Sequence, residues 1–155
     1  MVEQAVRELE QLILSRCEDL MFEGWTYNLR EGNYNSFQEM LDECKVTQHI
    51  QISTTGGSTA IYKGDFNELL RFWHDVIHIK LNLDFYLESE ILVAAHQIAE
   101  CLAYGLPDLS ISILEADVIG QSLYYKNHGE FVKNQTVFIE DCLGLGIEET
   151  ASNKQ

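Results

Sequence analysis

The stretch Trp73-His74-Asp75-Val76-Ile77-His78 sets two imidazoles one helical turn apart, with a carboxylate beside the first. If residues 65–82 are helical, His74 and His78 share a face at i and i+4, where two neutral rings can clamp one divalent cation. Asp75 or a carboxylate from the next helix would complete the ligand set, and Glu88, Glu90, His96 and Glu100 follow downstream. On a helix across 86–104, Ser89, Leu92, His96, Ala99 and Ala103 share one face, whereas Glu90, Ala94, Gln97 and Cys101 share another. Glu90 and His96 therefore do not easily serve one small site, and His96 pairs more readily with Glu88 or Glu100. The metal ligands expected from the spacing are His74, Asp75, His78 and His96. Glu88 or Glu90 would assist as general base to a metal-activated water.

The helix that carries the two histidines should be central. Phe66, Leu69, Leu70, Phe72, Trp73, Val76, Ile77 and Ile79 cover most of its circumference, leaving Asn67, Arg71, His74 and His78 as its polar stripe. Such a stripe borders either a pocket or bulk solvent, and in the second case the histidines are ordinary surface residues. A second stripe, Asp117, Gln121, Tyr124 and His128, recurs at the same steps. If it faces the histidines, it supplies substrate hydrogen bonds or a general acid; otherwise it is an interfacial or solvated face. Arg71, Gln97, Asp117, Gln121 and Tyr124 are the candidate substrate contacts.

Composition narrows the partners. With 10 basic against 25 acidic side chains, the 155-residue chain carries a formal charge of -15, which repels nucleic acid phosphates and anionic membranes but attracts a basic protein surface. The acidic residues are scattered, with no long phosphate-like row. Cys17, Cys44, Cys101 and Cys142 form no C-x-x-C pair, so reduced thiols and a cytoplasmic location are expected. No apolar run is long enough to span a bilayer, and no export signal is evident. A Gly-x-Ser-x-Gly elbow is missing, and Thr54-Thr55-Gly56-Gly57-Ser58 lacks the Gly-Lys ending of a phosphate loop.

The elements that must position these residues are legible from periodicity and caps. An amphipathic helix covers 2–23, and Ser36 with Glu39 starts a short helix reaching about Cys44. Alternation across 46–53 and 58–63 around the Gly-Gly pair predicts a β-hairpin. Asp65 with Glu68 opens the histidine helix, Asp84 opens the helix at 86–104, and further helices are expected at about 112–127 and 133–143. Residues 1–145 should form one domain, with 146–155 a frayed tail. The fold class expected is α+β, mainly α: about six helices around the histidine helix, with one small hairpin.

Two resemblances attach to these residues. His74-Asp75-Val76-Ile77-His78 within an apolar helix resembles the central motif of HD-domain metal-dependent phosphohydrolases. That likeness implies an upstream histidine and a late aspartate as further ligands, with His49 and Asp117 as the nearest counterparts. More broadly, Leu70 to His78, Glu88-Ser89-Glu90, His96-Gln97, Ala116 to Gln121 with Tyr124-Tyr125, and Gly129-Glu130-Phe131 with Asn134-Gln135 resemble small proteins of tailed bacteriophages and prophages. It implies residence in a host cytoplasm and carries no particular activity with it. The leading expectation is a metal-dependent hydrolase of a phosphorylated or nucleotide-like small molecule. The alternative is an acidic protein that binds and redirects a basic host enzyme or defence component, in the extreme as a DNA mimic.

Overall fold

The computed structural model describes all 155 residues. Helix α1 (Val2–Phe22) buries Ala5, Val6, Leu9, Leu12, Ile13, Cys17 and Leu20 along one stripe and packs that stripe on α3 (Phe66–Leu81) and α5 (Asp108–Glu115). Glu10, buried on the same stripe, accepts the Lys63 N–H at 2.8 Å. Helix α3 buries Leu70, Phe72, Trp73, Val76, Ile77, His78 and Ile79, so the histidine helix is the central one. The architecture is mainly α with a small β part, as the periodicities predict.

The β part is not a hairpin. Residues 58–63 form no strand; the second half of the expected hairpin, His49–Ser53 (β2), pairs instead with Thr26–Arg30 (β1), in parallel, with Thr26 opposite His49 and Arg30 opposite Ser53. Helix α2 (Phe37–Thr47) makes the crossover between them, started by Ser36, whose side chain accepts the Glu39 N–H. Alternation marks β2 correctly, because Ile50 and Ile52 are fully buried, but alternation does not name a strand's partner. Residues 54–59 instead form a short turn fastened from outside: Arg71 donates to the Ser53 and Thr55 carbonyls, and Gln135 Nε2 donates to the Gly56 carbonyl at 2.9 Å.

Helix α4 (Leu87–Tyr104) begins after Asp84, whose Oδ1 accepts the Tyr86 N–H, and ends at Gly105, which sits at φ +86°. The next helix starts earlier than expected, at Asp108. α5 continues through a π-helical turn (Ala116–Gly120) into α6 (Gln121–His128), so 108–128 is one rod with a widened turn. Gly120 lies where an added Cβ would come within 3.0 Å of the Phe138 ring, which fixes how closely the widened turn seats against α7 (Gln135–Leu145).

Residues 146–155 do not fray. They form α8 (Ile147–Ser152), bury Thr150 and Ala151, and are held by Asn127 and His128, which both donate to the Ala151 carbonyl. The side chain of Gln155 accepts the Lys133 and Asn134 N–H groups. A six-residue helix with one apolar residue at its start leaves little periodicity to read, and its stability comes from these contacts rather than from propensity.

Candidate metal centre

Helix α3 carries His74 and His78 on adjacent turns, and the first turn of α4 crosses them to deliver Glu90. His74 Nε2 lies 3.0 Å from His78 Nε2 and 2.9 Å from Glu90 Oε2, and His78 Nε2 lies 3.3 Å from the same oxygen. These three donor atoms converge as a metal-ligand set would. A point equidistant from them in their plane is about 1.8 Å from each, so a cation at the usual distance of about 2.0–2.1 Å sits about 1 Å to one side of that plane. The other side of such a cation is open to water or substrate.

The far nitrogens of both rings are committed. His78 Nδ1 donates to the Leu83 carbonyl at 2.8 Å, and His74 Nδ1 lies 3.0 Å from Gln97 Oε1, the fully buried amide of α4. With each Nδ1 proton turned to a carbonyl oxygen, both Nε2 lone pairs point inward, which is the outer shell that metal-binding histidines ordinarily have. Phe85 and Phe37 enclose the His78 ring, at centroid distances of 5.3 and 6.4 Å. The His78 side chain is fully buried, whereas those of His74 and Glu90 keep 16% and 15% of their exposure. The open side of the centre is therefore reached past His74 and Glu90.

Without a cation, the three lone pairs must share a proton. Burial alone would lower the His74 imidazole, but the Glu90 carboxylate, by charge and by hydrogen bond, overrides it and holds the ring up at about 9. Burial alone would raise Glu90, and the same pairing with His74 and His78 brings it down to about 2. An imidazolium–carboxylate pair thus occupies the space a metal would take.

No family model, curated protein or solved structure matches this chain. Its chemistry must therefore be read from its own side chains.

The structure assembles some of the residues singled out in the sequence and separates others. Glu90, expected as a base, is the third converging donor. His96 is instead half-exposed and pairs with Glu100 at 3.4 Å, the easier pairing that the helix faces allow. No Asp75 oxygen joins the converging atoms; its carboxyl, raised by burial, feels the charges of both histidines but makes no hydrogen bond. Glu88 is exposed and unbonded. His49 is held on the sheet by Thr26 and Asn28, far from the role its place in the HD-like pattern implies.

The expected substrate contacts are mostly scaffold. Gln97 positions His74, and Arg71 is spent on two backbone carbonyls. Asp117 accepts from Tyr62 at 2.9 Å and from Gln121; burial raises its pKa while those neighbours oppose the rise. Tyr124 is fully buried against His128 and Phe138. Two participants escaped sequence reasoning: the Leu83 carbonyl, which as backbone has no sequence signal, and Tyr62, which falls in the misassigned strand. All four cysteines are free and buried, with Cys17 pushed up to about 12 and Cys101 to about 11 by burial, so none is a thiolate ligand or nucleophile. A cavity of about 610 Å³ lies elsewhere, between α5, α7 and α8, lined by Ser112, Leu143 and Ile147 with Glu115, Glu148 and Glu149.

Proposed function

We propose that this chain is a mononuclear metalloprotein that holds a divalent transition metal through His74, His78 and Glu90, and that the metal's open positions activate water for hydrolysis of a small molecule. The observation that carries this reading is the convergence of three donor atoms whose outer partners, Leu83 and Gln97, aim both imidazole lone pairs at one point. Two histidines and a glutamate are the donor set of hydrolytic zinc sites, and two histidines with a carboxylate on one face also suit iron(II). The metal would lower the pKa of a bound water toward neutrality and polarise the scissile group. A phosphorylated or nucleotide-like substrate would have to bind through the metal itself, because Arg71, the cation nearest in sequence, is already committed to backbone carbonyls. No helix is long and apolar enough to cross a membrane, and buried free thiols accord with the cytoplasmic location and phage origin that the sequence resemblance implies.

The test is metal content. Purified protein loaded with zinc, iron(II) or manganese and desalted should retain about one metal per chain, and a His74→Ala/His78→Ala variant of unchanged helicity should retain none. Absence of stoichiometric metal from the wild-type chain under all three loadings would refute the reading. The acidic interaction reading draws on one observation, the carboxylates of Glu115, Glu148 and Glu149 at the rim of an apolar cavity, which suit a basic side chain of a partner protein. Loss of partner binding on neutralising those three residues, with metal content unaffected, would separate it from the first.

A further inference from the structure

The two edges of the small sheet are treated differently. In a parallel pair only alternate residues of each strand face the partner, and here Thr26 N–H donates to the Gln48 carbonyl while the Arg30 carbonyl accepts from Thr54 N–H. Thr26, Asn28 and Arg30 therefore face β2, and Tyr27 and Leu29 point their N–H and C=O groups outward. The corresponding outward groups of β2 are capped one by one. His49 N–H donates to Thr47 Oγ1, Gln51 N–H to the Tyr34 hydroxyl, and the Ser53 carbonyl accepts from Arg71. On β1 nothing caps Tyr27 or Leu29, the Leu29 side chain is 47% exposed, and no proline, bulge or lysine blocks the edge, the devices that usually prevent strand addition.

We propose that the free edge of β1 is an interface between two copies of this chain, joined antiparallel into a four-stranded sheet. The strand is self-complementary about Asn28: with Asn28 on the two-fold axis, Tyr27 of one copy lies opposite Leu29 of the other, and vice versa. Both residues have their backbone groups facing outward, so each such pair exchanges two hydrogen bonds. Charge selects the same occupant. On a chain of formal charge -15, Thr26-Tyr27-Asn28-Leu29-Arg30 holds no acid and one base. In that register Arg30 meets Thr26 of the other copy, so no carboxylates of the strand oppose each other, and charges elsewhere are screened beyond about 8 Å. A basic partner strand would find no acid along this edge to meet.

Sedimentation across a wide concentration range, with amide hydrogen exchange on the same samples, tests this. Mass should rise from one chain to two, and the Tyr27 and Leu29 amides should slow in step with it. Leu29→Pro removes only the outward N–H and leaves the bonds of Thr26, Asn28 and Arg30 to β2 in place; it should weaken the dimer at least about tenfold. Should that variant lose its helical signal, Leu29→Lys, which sets a charge on the edge without touching the backbone, is expected to do the same. A chain that stays single at every concentration, a dimer that leaves these amides unprotected, or one that survives both variants overturns the proposal. Protection that appears only on adding an unrelated extended peptide would give the edge to another partner and likewise overturn it.

Discussion

A cation entering between His74, His78 and Glu90 must displace the proton that joins them. Glu90 is already ionised at neutral pH, with its carboxyl held down at about 2, so it releases nothing; His74, held up at about 9, carries the exchangeable proton. Zinc uptake at pH 7 should therefore release about one proton per metal. Apparent affinity should tighten about tenfold per unit between pH 6 and 8, roughly 1.4 kcal/mol for each unit. Titration calorimetry in buffers of different ionisation heat reads the proton count directly, as the slope of observed heat against buffer heat. In Glu90→Gln the imidazole loses the carboxylate that holds it up, so the proton count and the affinity should fall together. Heat at pH 7 that does not depend on the buffer, or an affinity flat across pH 6–8, would refute the shared-proton geometry even if metal binds.

The same pair makes stability depend on pH. Because the His74 pKa is raised from 6.5 to about 9, its contribution is complete below about 6.5 and is lost as pH rises through 9; because the Glu90 pKa is lowered from 4.5 to about 2, its contribution is complete above about 4.5 and is lost as pH falls through 2. Urea unfolding of metal-free protein should show a plateau between about pH 4.5 and 6.5, on the order of 3 kcal/mol above either flank for the pair as a whole, and Glu90→Gln should flatten it. Gln97→Leu removes the acceptor for His74 Nδ1 and should weaken zinc about 10- to 100-fold in a competition assay with a coloured chelator, with helicity unchanged; an unaltered affinity would mean that the ring needs no such support. Arg71→Ala leaves the Ser53 and Thr55 carbonyls without their donor and should cost about 1–3 kcal/mol in urea unfolding while keeping one metal per chain. Metal loss in that variant would place Arg71 in the centre rather than in the scaffold.

The histidine helix was legible because two independent patterns agree there: apolar residues around most of its circumference and a polar stripe that runs through both imidazoles. Helix faces also separated Glu90 from His96 correctly, since a period of 3.6 fixes which residues of α4 can meet a common neighbour. What the faces could not supply is the crossing of α4 over α3, so nothing in the sequence prefers Glu90 over Glu88 or Asp75 as the third donor. The sheet was misread for a related reason. β2 shows its buried alternation, but its partner lies beyond a helical crossover, and parallel pairing has no turn to announce it. Asp117, Gln121 and Tyr124 repeat at helical spacing, yet the structure turns the first two toward Tyr62 and the third into the core; periodicity shows that residues share a side, not what that side meets.

The widened turn at Ala116–Gly120 makes chain length, rather than residue type, the sensitive variable in the rod that contains it. A π turn holds one residue more than an α turn. Deleting any residue inside it would let an ordinary helix run straight through, and everything after it would swing by about 100° about the axis. Tyr124 would leave its seat beside Phe138, and Asn127 and His128 would no longer reach the Ala151 carbonyl that anchors α8. Many substitutions along this rod leave its phase intact, whereas one lost codon there would unlock the whole far end of the molecule.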